Sequence, residues 1–174
     1  NTQNNSYGAG SVTLSAANGG DRTIDVSGAK SDSKGFTLEG GSGTGNDILT
    51  GGGGVDIITG GAQIDTITGN GGADTISGGA GNDIITGGSG NDIITIDVGT
   101  DKVLDLGGSG SGGESDVVIV AAGATLNATG VISFTATSDT KNNSTGAANA
   151  KLTAADSGST VDVSAATGTS AAFT

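Results

Sequence analysis

The sequence predicts an all-β fold whose centre, residues 42–104, is a parallel β-roll flanked by β-rich spacer segments. Two observations predict it. An unbroken nine-residue repeat runs through the middle of the chain, and every repeat joins a glycine-rich half to a short half rich in Ile and Thr. The seven successive frames are SGTGNDILT, GGGGVDIIT, GGAQIDTIT, GNGGADTIS, GGAGNDIIT, GGSGNDIIT and the degenerate IDVGTDKVL. Below, the places of each frame are numbered from one to nine.

Each frame is predicted to form one turn and one strand. The glycine-rich first five places suit backbone with positive φ, whereas the last three, such as Ile84-Ile85-Thr86, suit a β-strand. Because side chains alternate along a strand, the eighth place points inward and the seventh and ninth point outward. The eighth place is always aliphatic: Leu49, Ile58, Ile67, Ile76, Ile85, Ile94 and Val103. Two frames therefore make one flattened coil, and stacked coils bury this column in a thin core.

The composition supports such a solenoid rather than a thick globular core. The chain has 36 glycines, one Tyr, three Phe, and no Trp, Met or Cys. Glycine loses the most backbone entropy on folding, so a periodic interaction has to compensate. Without cysteine no disulfide can supply it. A bound metal ion is the alternative source of stabilisation.

Aspartate occupies the sixth place of all seven frames. These residues are Asp47, Asp56, Asp65, Asp74, Asp83, Asp92 and Asp101. Stacking places alternate members along opposite edges of the roll, with no Lys or Arg between residues 42 and 101 to offset their charge. The formal net charge of −12 disfavours nucleic acid as a partner and favours cations. Calcium is the expected ion, because it takes six to eight oxygen ligands from carboxylates and backbone carbonyls.

The frames at 78–86 and 87–95 resemble the nonapeptide of the repeats-in-toxin (RTX) family. The resemblance implies a right-handed parallel β-roll that holds several calcium ions, each between one turn and the turn two repeats later. The implied ligands are the sixth-place aspartates and turn carbonyls of glycines, namely Gly43, Gly45, Gly52, Gly54, Gly61, Gly72, Gly79, Gly81, Gly88 and Gly90. Three departures weaken the pattern: Gln63 at a fourth place, Asn70 at a second place, and Ile96-Asp97 opening the last frame. The alternative is a metal-free solenoid whose aspartates only solvate turns.

The flanking sequence predicts three units, 1–41, 42–104 and 105–174. Residues 106–115 are glycine- and serine-rich and are expected to be a loop that ends the roll. The last unit repeats the 10–37 segment: TIDVSGAKSDSKGFT at 23–37 aligns without gaps with TVDVSAATGTSAAFT at 160–174. This repeat predicts an array that alternates rolls with β-rich spacers, unless the similarity arises by chance in a chain rich in Thr, Ser and Ala.

The residues favour a structural role over catalysis. The chain has no histidine for acid–base chemistry and no cysteine nucleophile. Its longest apolar run, at 117–122, is too short to cross a bilayer, so no membrane insertion is expected. We expect a calcium-dependent module of a secreted, extracellular or cell-surface assembly that self-associates into a layer or filament. An adhesin stalk and the non-catalytic tail of a secreted protease or lipase are the alternatives.

The outward seventh place carries isoleucine in four frames, at Ile48, Ile57, Ile84 and Ile93. Isoleucines on the outer faces of both sheets need some cover, because exposed apolar patches mark contact sites. Lateral assembly between molecules and cover by the spacer segments of the same chain explain them equally well.

Overall fold

A computed structural model describes residues 12–17, 19–29, 34–106, 116–122 and 124–131, and short strands at 133–135, 141–142, 150–154 and 160–162. Every regular element within these residues is a β-strand. The described residues contain no helix that is long and apolar enough to span a membrane. The prediction of an all-β parallel roll is confirmed.

Sixteen strands are present in the described part of the chain. In chain order they are β1 (Val12–Ser15), β2 (Thr23–Asp25), β3 (Phe36–Glu39), β4 (Ile48–Thr50), β5 (Ile57–Ala62), β6 (Thr66–Gly71), β7 (Thr75–Ala80), β8 (Ile84–Ser89), β9 (Ile93–Ile96), β10 (Thr100–Val103), β11 (Val117–Val120), β12 (Thr125–Val131), β13 (Ser133–Thr135), β14 (Lys141–Asn142), β15 (Ala150–Ala154) and β16 (Thr160–Asp162).

The strands alternate between two parallel sheets as the chain winds. One seven-stranded sheet has the order β1-β3-β5-β7-β9-β11-β14, and the other has the order β15-β12-β10-β8-β6-β4-β2. A separate parallel pair joins β13 to β16. Since neighbours in each sheet are always two strands apart in the nonapeptide region, one coil of the roll consists of two nonapeptides, as the spacing predicts.

The core is a ladder of eighth-place side chains. Ile58 lies opposite Ile76 in one sheet, and Ile67 lies opposite Ile85 in the other. All seven eighth-place residues are fully buried, with 0 % of their surface exposed. The isoleucines of the seventh place point the other way, and Ile57 is 52 % exposed. The predicted inward and outward faces are therefore both observed.

The two sheets continue beyond the nonapeptide register. Before it, β2 pairs with β4 and β3 pairs with β5. After it, β11 pairs with β9 and β12 pairs with β10. The buried side chains of Leu38, Val118 and Leu126 extend the apolar ladder, which is why these strands join the stack. Stacked strands thus extend past residues 42–104, while the division of the chain into three units stays a prediction.

Candidate metal centre

The second and fourth places of four consecutive turns hold the backbone in a left-handed conformation. In the turns that open at Gly60, Gly69, Gly78 and Gly87, both places have positive φ. Six of these eight residues are glycine, and the other two are Gln63 and Asn70, each with φ of 77°. The two departures seen in the sequence therefore keep the backbone of the repeat and accept the strain of a side chain at positive φ.

The turns pack so closely that side chains are excluded from them. A Cβ atom added to Gly81 would overlap the carbonyl oxygen of Gln63 in the preceding coil, and one added to Gly90 would overlap the carbonyl oxygen of Gly72. Gly72 and Gly99 likewise lie directly against the fourth-place carbonyls of Gly54 and Gly81 in the coil before them. The result is a column of backbone oxygen atoms along each edge.

First-place glycines make room for the aspartates. A Cβ atom on Gly51 or Gly60 would lie 2.6 Å from Oδ2 of the aspartate five residues later, Asp56 or Asp65. Any side chain at the first place would therefore displace the carboxylate from its position over the turn.

The sixth-place aspartates form two buried rows, one on each edge of the roll. In the first row, Oδ1 of Asp65 accepts the backbone N–H of Asp47 at 2.7 Å, and Oδ1 of Asp83 accepts that of Asp65 at 2.8 Å. The row continues to Asp101. The second row links Asp56, Asp74 and Asp92 by the same bonds. Their side chains are at most 6 % exposed.

The structure adds Asp116 to the second row. Its Oδ1 accepts the backbone N–H of Asp92 at 3.0 Å, and only 4 % of the residue is exposed. Asp116 follows Asp92 by 24 residues instead of 18, so it falls outside the nine-residue register. The string DVVI at 116–119 is the sequence signal for this residue, because it has an aspartate followed by apolar residues, as in the sixth to eighth places of a frame such as NDIIT.

Both rows begin at residues that are not acidic. The backbone N–H of Arg22 donates to Oδ1 of Asp47 at 2.8 Å, and that of Phe36 donates to Oδ1 of Asp56 at 2.6 Å. The hydrogen-bond ladder therefore reaches one coil further than the carboxylates do.

The second carboxylate oxygen is the unusual feature of these rows. Oδ2 is buried and accepts no hydrogen bond in Asp65, Asp74, Asp83 and Asp101. Burial raises the pKa of Asp74 to about 7 and the pKa of Asp65 to about 6, and the aspartates before and after them in the row raise it further. Burial raises the pKa of Asp101 to about 6, and the nearby charges of Asp83 and Asp97 raise it further. A buried acceptor without a donor is costly, so a cation beside it would be strongly stabilising.

The donor set fits calcium. No group of three His, Cys, Asp or Glu side chains converges anywhere in the part of the chain that the structure describes. Each turn supplies one carboxylate, so further ligands have to be backbone carbonyl oxygens, which the glycine turns align along the same edges. Calcium accepts such mixed sets of hard oxygen ligands, whereas zinc prefers nitrogen and sulfur.

The first two predicted turns differ from the four that follow. Gly43, Gly45, Gly52 and Gly54 do not have positive φ, although Gly41 does, with φ of 109°. The sequence gives these four glycines the same places as Gly79 and Gly81, but their backbone does not repeat the left-handed geometry of the later turns. Oδ2 of Asp56 instead accepts the N–H of Gly52 at 2.7 Å.

The degenerate last frame still places its aspartate correctly. Ile96 is fully buried and extends the core, Asp97 accepts a hydrogen bond from the Ser77 hydroxyl, and Gly99 retains positive φ at the fourth place. Asp101 is 0 % exposed and closes the first row. The altered opening pair therefore changes the first two places without moving the carboxylate.

Comparison with known families identifies these turns. The family described as RTX calcium-binding nonapeptide repeat (4 copies) matches residues 37–67, 59–94 and 68–103. These matches cover six of the seven sixth-place aspartates in full repeats and the seventh at their end. Searches of curated proteins and of solved structures found no match to the chain.

Proposed function

Because the chain carries RTX calcium-binding nonapeptide repeats, a calcium-binding structural type, we propose that it is a module of a secreted bacterial surface assembly, a surface layer or a filament. In this proposal the module folds and assembles when it meets calcium outside the cell. The observation that carries the proposal is the pair of buried aspartate rows, in which Oδ2 of Asp65, Asp74, Asp83 and Asp101 accepts no hydrogen bond.

The ions lie along the two edges in this proposal. The ligands are the sixth-place aspartates and the turn carbonyls at the second and fourth places, with the turns from Gly60 to Asn91 as the most regular sites. Bound calcium supplies positive charge to stacked carboxylates and saturates carbonyls that no side chain can approach.

Calcium also makes folding conditional. Without it, the roll has to bury several carboxylates of like charge within two rows, and burial of an ionised group without a partner is strongly unfavourable. A ligand that binds only the folded state stabilises it in proportion to the logarithm of its concentration. Extracellular calcium modules bind with dissociation constants of about 10⁻⁴–10⁻³ M. The chain therefore stays unfolded at cytoplasmic calcium levels and folds after export.

Assembly is supported by the outer faces of the roll. The seventh-place isoleucines Ile48, Ile57, Ile84 and Ile93 are between 38 % and 52 % exposed, and they lie on both sheets. The repeated segment adds a second argument, since 23–37 and 160–174 share a sequence pattern. Residues 163–174 of the second copy lie outside the described residues, whereas its first three form β16.

Circular dichroism with and without calcium tests the folding switch. We expect the metal-depleted chain to lose most of its β signal and to regain it on addition of calcium, but not of magnesium, because magnesium demands a smaller octahedral site. Asp74→Asn should shift the calcium midpoint upward by about tenfold, the equivalent of about 1.4 kcal/mol. The matched control is Asp25→Asn, since Asp25 lies outside the rows and is exposed. Full β signal without calcium contradicts the proposal.

Assembly needs its own measurement. Light scattering or electron microscopy of the calcium-loaded chain should show growth that Ile84→Lys reduces, whereas Thr66→Lys, at an exposed seventh place already occupied by a polar residue, should leave it unchanged. A chain that remains monomeric at millimolar calcium contradicts the surface-assembly part of the proposal. It does not contradict calcium binding.

A further inference from the structure

Arg22 holds the position equivalent to the sixth place in the coil stacked before that of Asp47. Thr23 pairs with Ile48 in the sheet, so Arg22 lies opposite Asp47. Its backbone N–H donates to Oδ1 of Asp47 at 2.8 Å, which matches the 2.7 Å bond from Asp47 to Asp65. The backbone of the first row therefore continues through Arg22, while the side chain changes from an anion to a cation.

The guanidinium binds the carbonyls of its own turn. Nη1 donates to the carbonyl oxygen of Gly20 at 2.7 Å and to that of Asp21 at 3.0 Å. Gly20 corresponds to the fourth place, because a Cβ atom on the fourth-place Gly45 would lie 2.5 Å from its carbonyl oxygen. Asp21 in turn accepts the backbone N–H of Asn46, which ties the two turns together. A fixed cation thus lies on the class of carbonyl assigned to calcium in the later turns.

We propose that Arg22 is a built-in cation that closes the first row and sets the number of calcium ions bound there. This inference rests on the calcium sites of the proposed function. The guanidinium is always charged and forms directed hydrogen bonds to oxygen, so it satisfies the end turn at any calcium concentration. An ion beside that turn would meet a positive charge where every later turn of the row offers a carboxylate.

The second row ends differently. Phe36 occupies the equivalent position opposite Asp56, and its side chain is 2 % exposed and belongs to the apolar core. The charge of Arg22 is therefore a property of the first row, not a general requirement for ending the ladder.

The test is the calcium stoichiometry of the full chain, measured by equilibrium dialysis with calcium alone. Arg22→Asp extends the row by one carboxylate and should bind one additional ion, whereas Arg22→Lys keeps the cation and should bind the wild-type number. The control Lys102→Asp makes the same charge change at an exposed position of β10 and should add none. An unchanged stoichiometry for Arg22→Asp, or an equal gain for Lys102→Asp, overturns the inference. Absence of calcium binding by the wild type overturns the proposed function instead.

A second variant keeps the inference testable if Arg22→Asp does not fold. Arg22→Gln removes the charge but can still donate one hydrogen bond. In calcium-loaded protein, the N–H of Ile48, which donates to the Arg22 carbonyl at 2.8 Å, should exchange with solvent about fivefold faster in Arg22→Gln. Arg22→Lys should restore the slow exchange. Equal rates in the wild type and Arg22→Gln, or failure of Arg22→Lys to restore protection, count against a role for the charge.

Discussion

The nonapeptide coils and the coils that flank them share two sheets but not their turns. Inside the register, glycine turns and buried aspartates lie along both edges. Outside it, the positions opposite the row aspartates are taken by Arg22, Phe36 and Leu126, and only Asp116 among the described residues there extends a row. Apolar residues such as Leu38 and Val118 continue the core. Coils without the glycine–aspartate pattern thus still stack through the apolar ladder, and the pattern is confined to the coils that we propose bind calcium.

The largest effect is expected from a side chain that blocks a turn of the nonapeptide coils. Gly90→Ala should lower the free energy of unfolding by about 3 kcal/mol, because residue 90 has φ of 131° and its new Cβ would overlap the Gly72 carbonyl. Gly28→Ala is the control, since a Cβ there has nothing within 4 Å, and it should change the free energy by less than about 0.5 kcal/mol. Urea unfolding in saturating calcium measures both. Similar losses would mean that turn packing is not limiting.

The ladder common to both regions is the next target. Ile76→Ala, inside the register, and Val118→Ala, outside it, should each cost about 2–4 kcal/mol, because both side chains are fully buried. Ile57→Ala should cost less than about 1 kcal/mol, since 52 % of Ile57 is exposed. Thermal unfolding of the calcium-loaded variants provides the comparison. A small effect of Val118→Ala alone would show that the flanking coils do not share the core.

Acidity should act strongly on the nonapeptide coils, because they bury carboxylates with raised pKa. The pKa of Asp74 is about 7 in the fold and 3.8 in the unfolded chain, so the folded state binds more protons between these values. Stability of the metal-depleted roll is therefore greatest below the unfolded pKa and is lost as the pH rises through about 7. The circular dichroism β signal of metal-depleted protein should therefore be larger near pH 5 than near pH 8. With calcium present, protons compete for the carboxylates and weaken binding over the same range. A β signal of the metal-depleted chain that falls between pH 8 and pH 5 contradicts this expectation.

The smallest expected effect sharpens the turn geometry. Gln63→Gly should raise the free energy of unfolding by about 1 kcal/mol, because Gln63 has φ of 77° and glycine removes that strain. Part of the gain is lost to the greater freedom of glycine in the unfolded chain. Thr66→Gly, in the adjoining strand, is the opposite control and should destabilise. A loss of stability in Gln63→Gly would assign the Gln63 side chain a contact of its own.

Much of the centre could be predicted from the sequence, since its signals are local and periodic. The alternation of side chains along a strand predicts that Ile84 points outward and Ile85 inward. The nine-residue spacing predicts which aspartates lie on the same edge. The positive φ of Gln63 and Asn70 also follows from their places in the frame, once glycine is understood as a conformational requirement.

The ends of the stack could not be predicted in the same way. Asp116 joins the second row across a longer connection. A nine-residue spacing cannot predict the position of a residue that follows an insertion of unknown length. The strands β1, β2 and β3 lie outside the nine-residue register, so the sequence pattern does not predict that they join the roll. Their place depends on packing against the core. The different backbone of Gly52 and Gly54 also has no signal, because GGGG fits both geometries.

The alternation of strands between two sheets imposes a rule of parity on any change in length. An insertion within a connection, such as the one between Asp92 and Asp116, leaves every later strand in its original sheet. Loss or gain of a single nonapeptide instead exchanges the sheets of all strands that follow and moves each aspartate to the opposite edge. Only changes by pairs of repeats preserve both rows. A lineage that lengthens such a roll is therefore expected to do so in whole coils, which makes the coil, and not the nonapeptide, the unit of duplication.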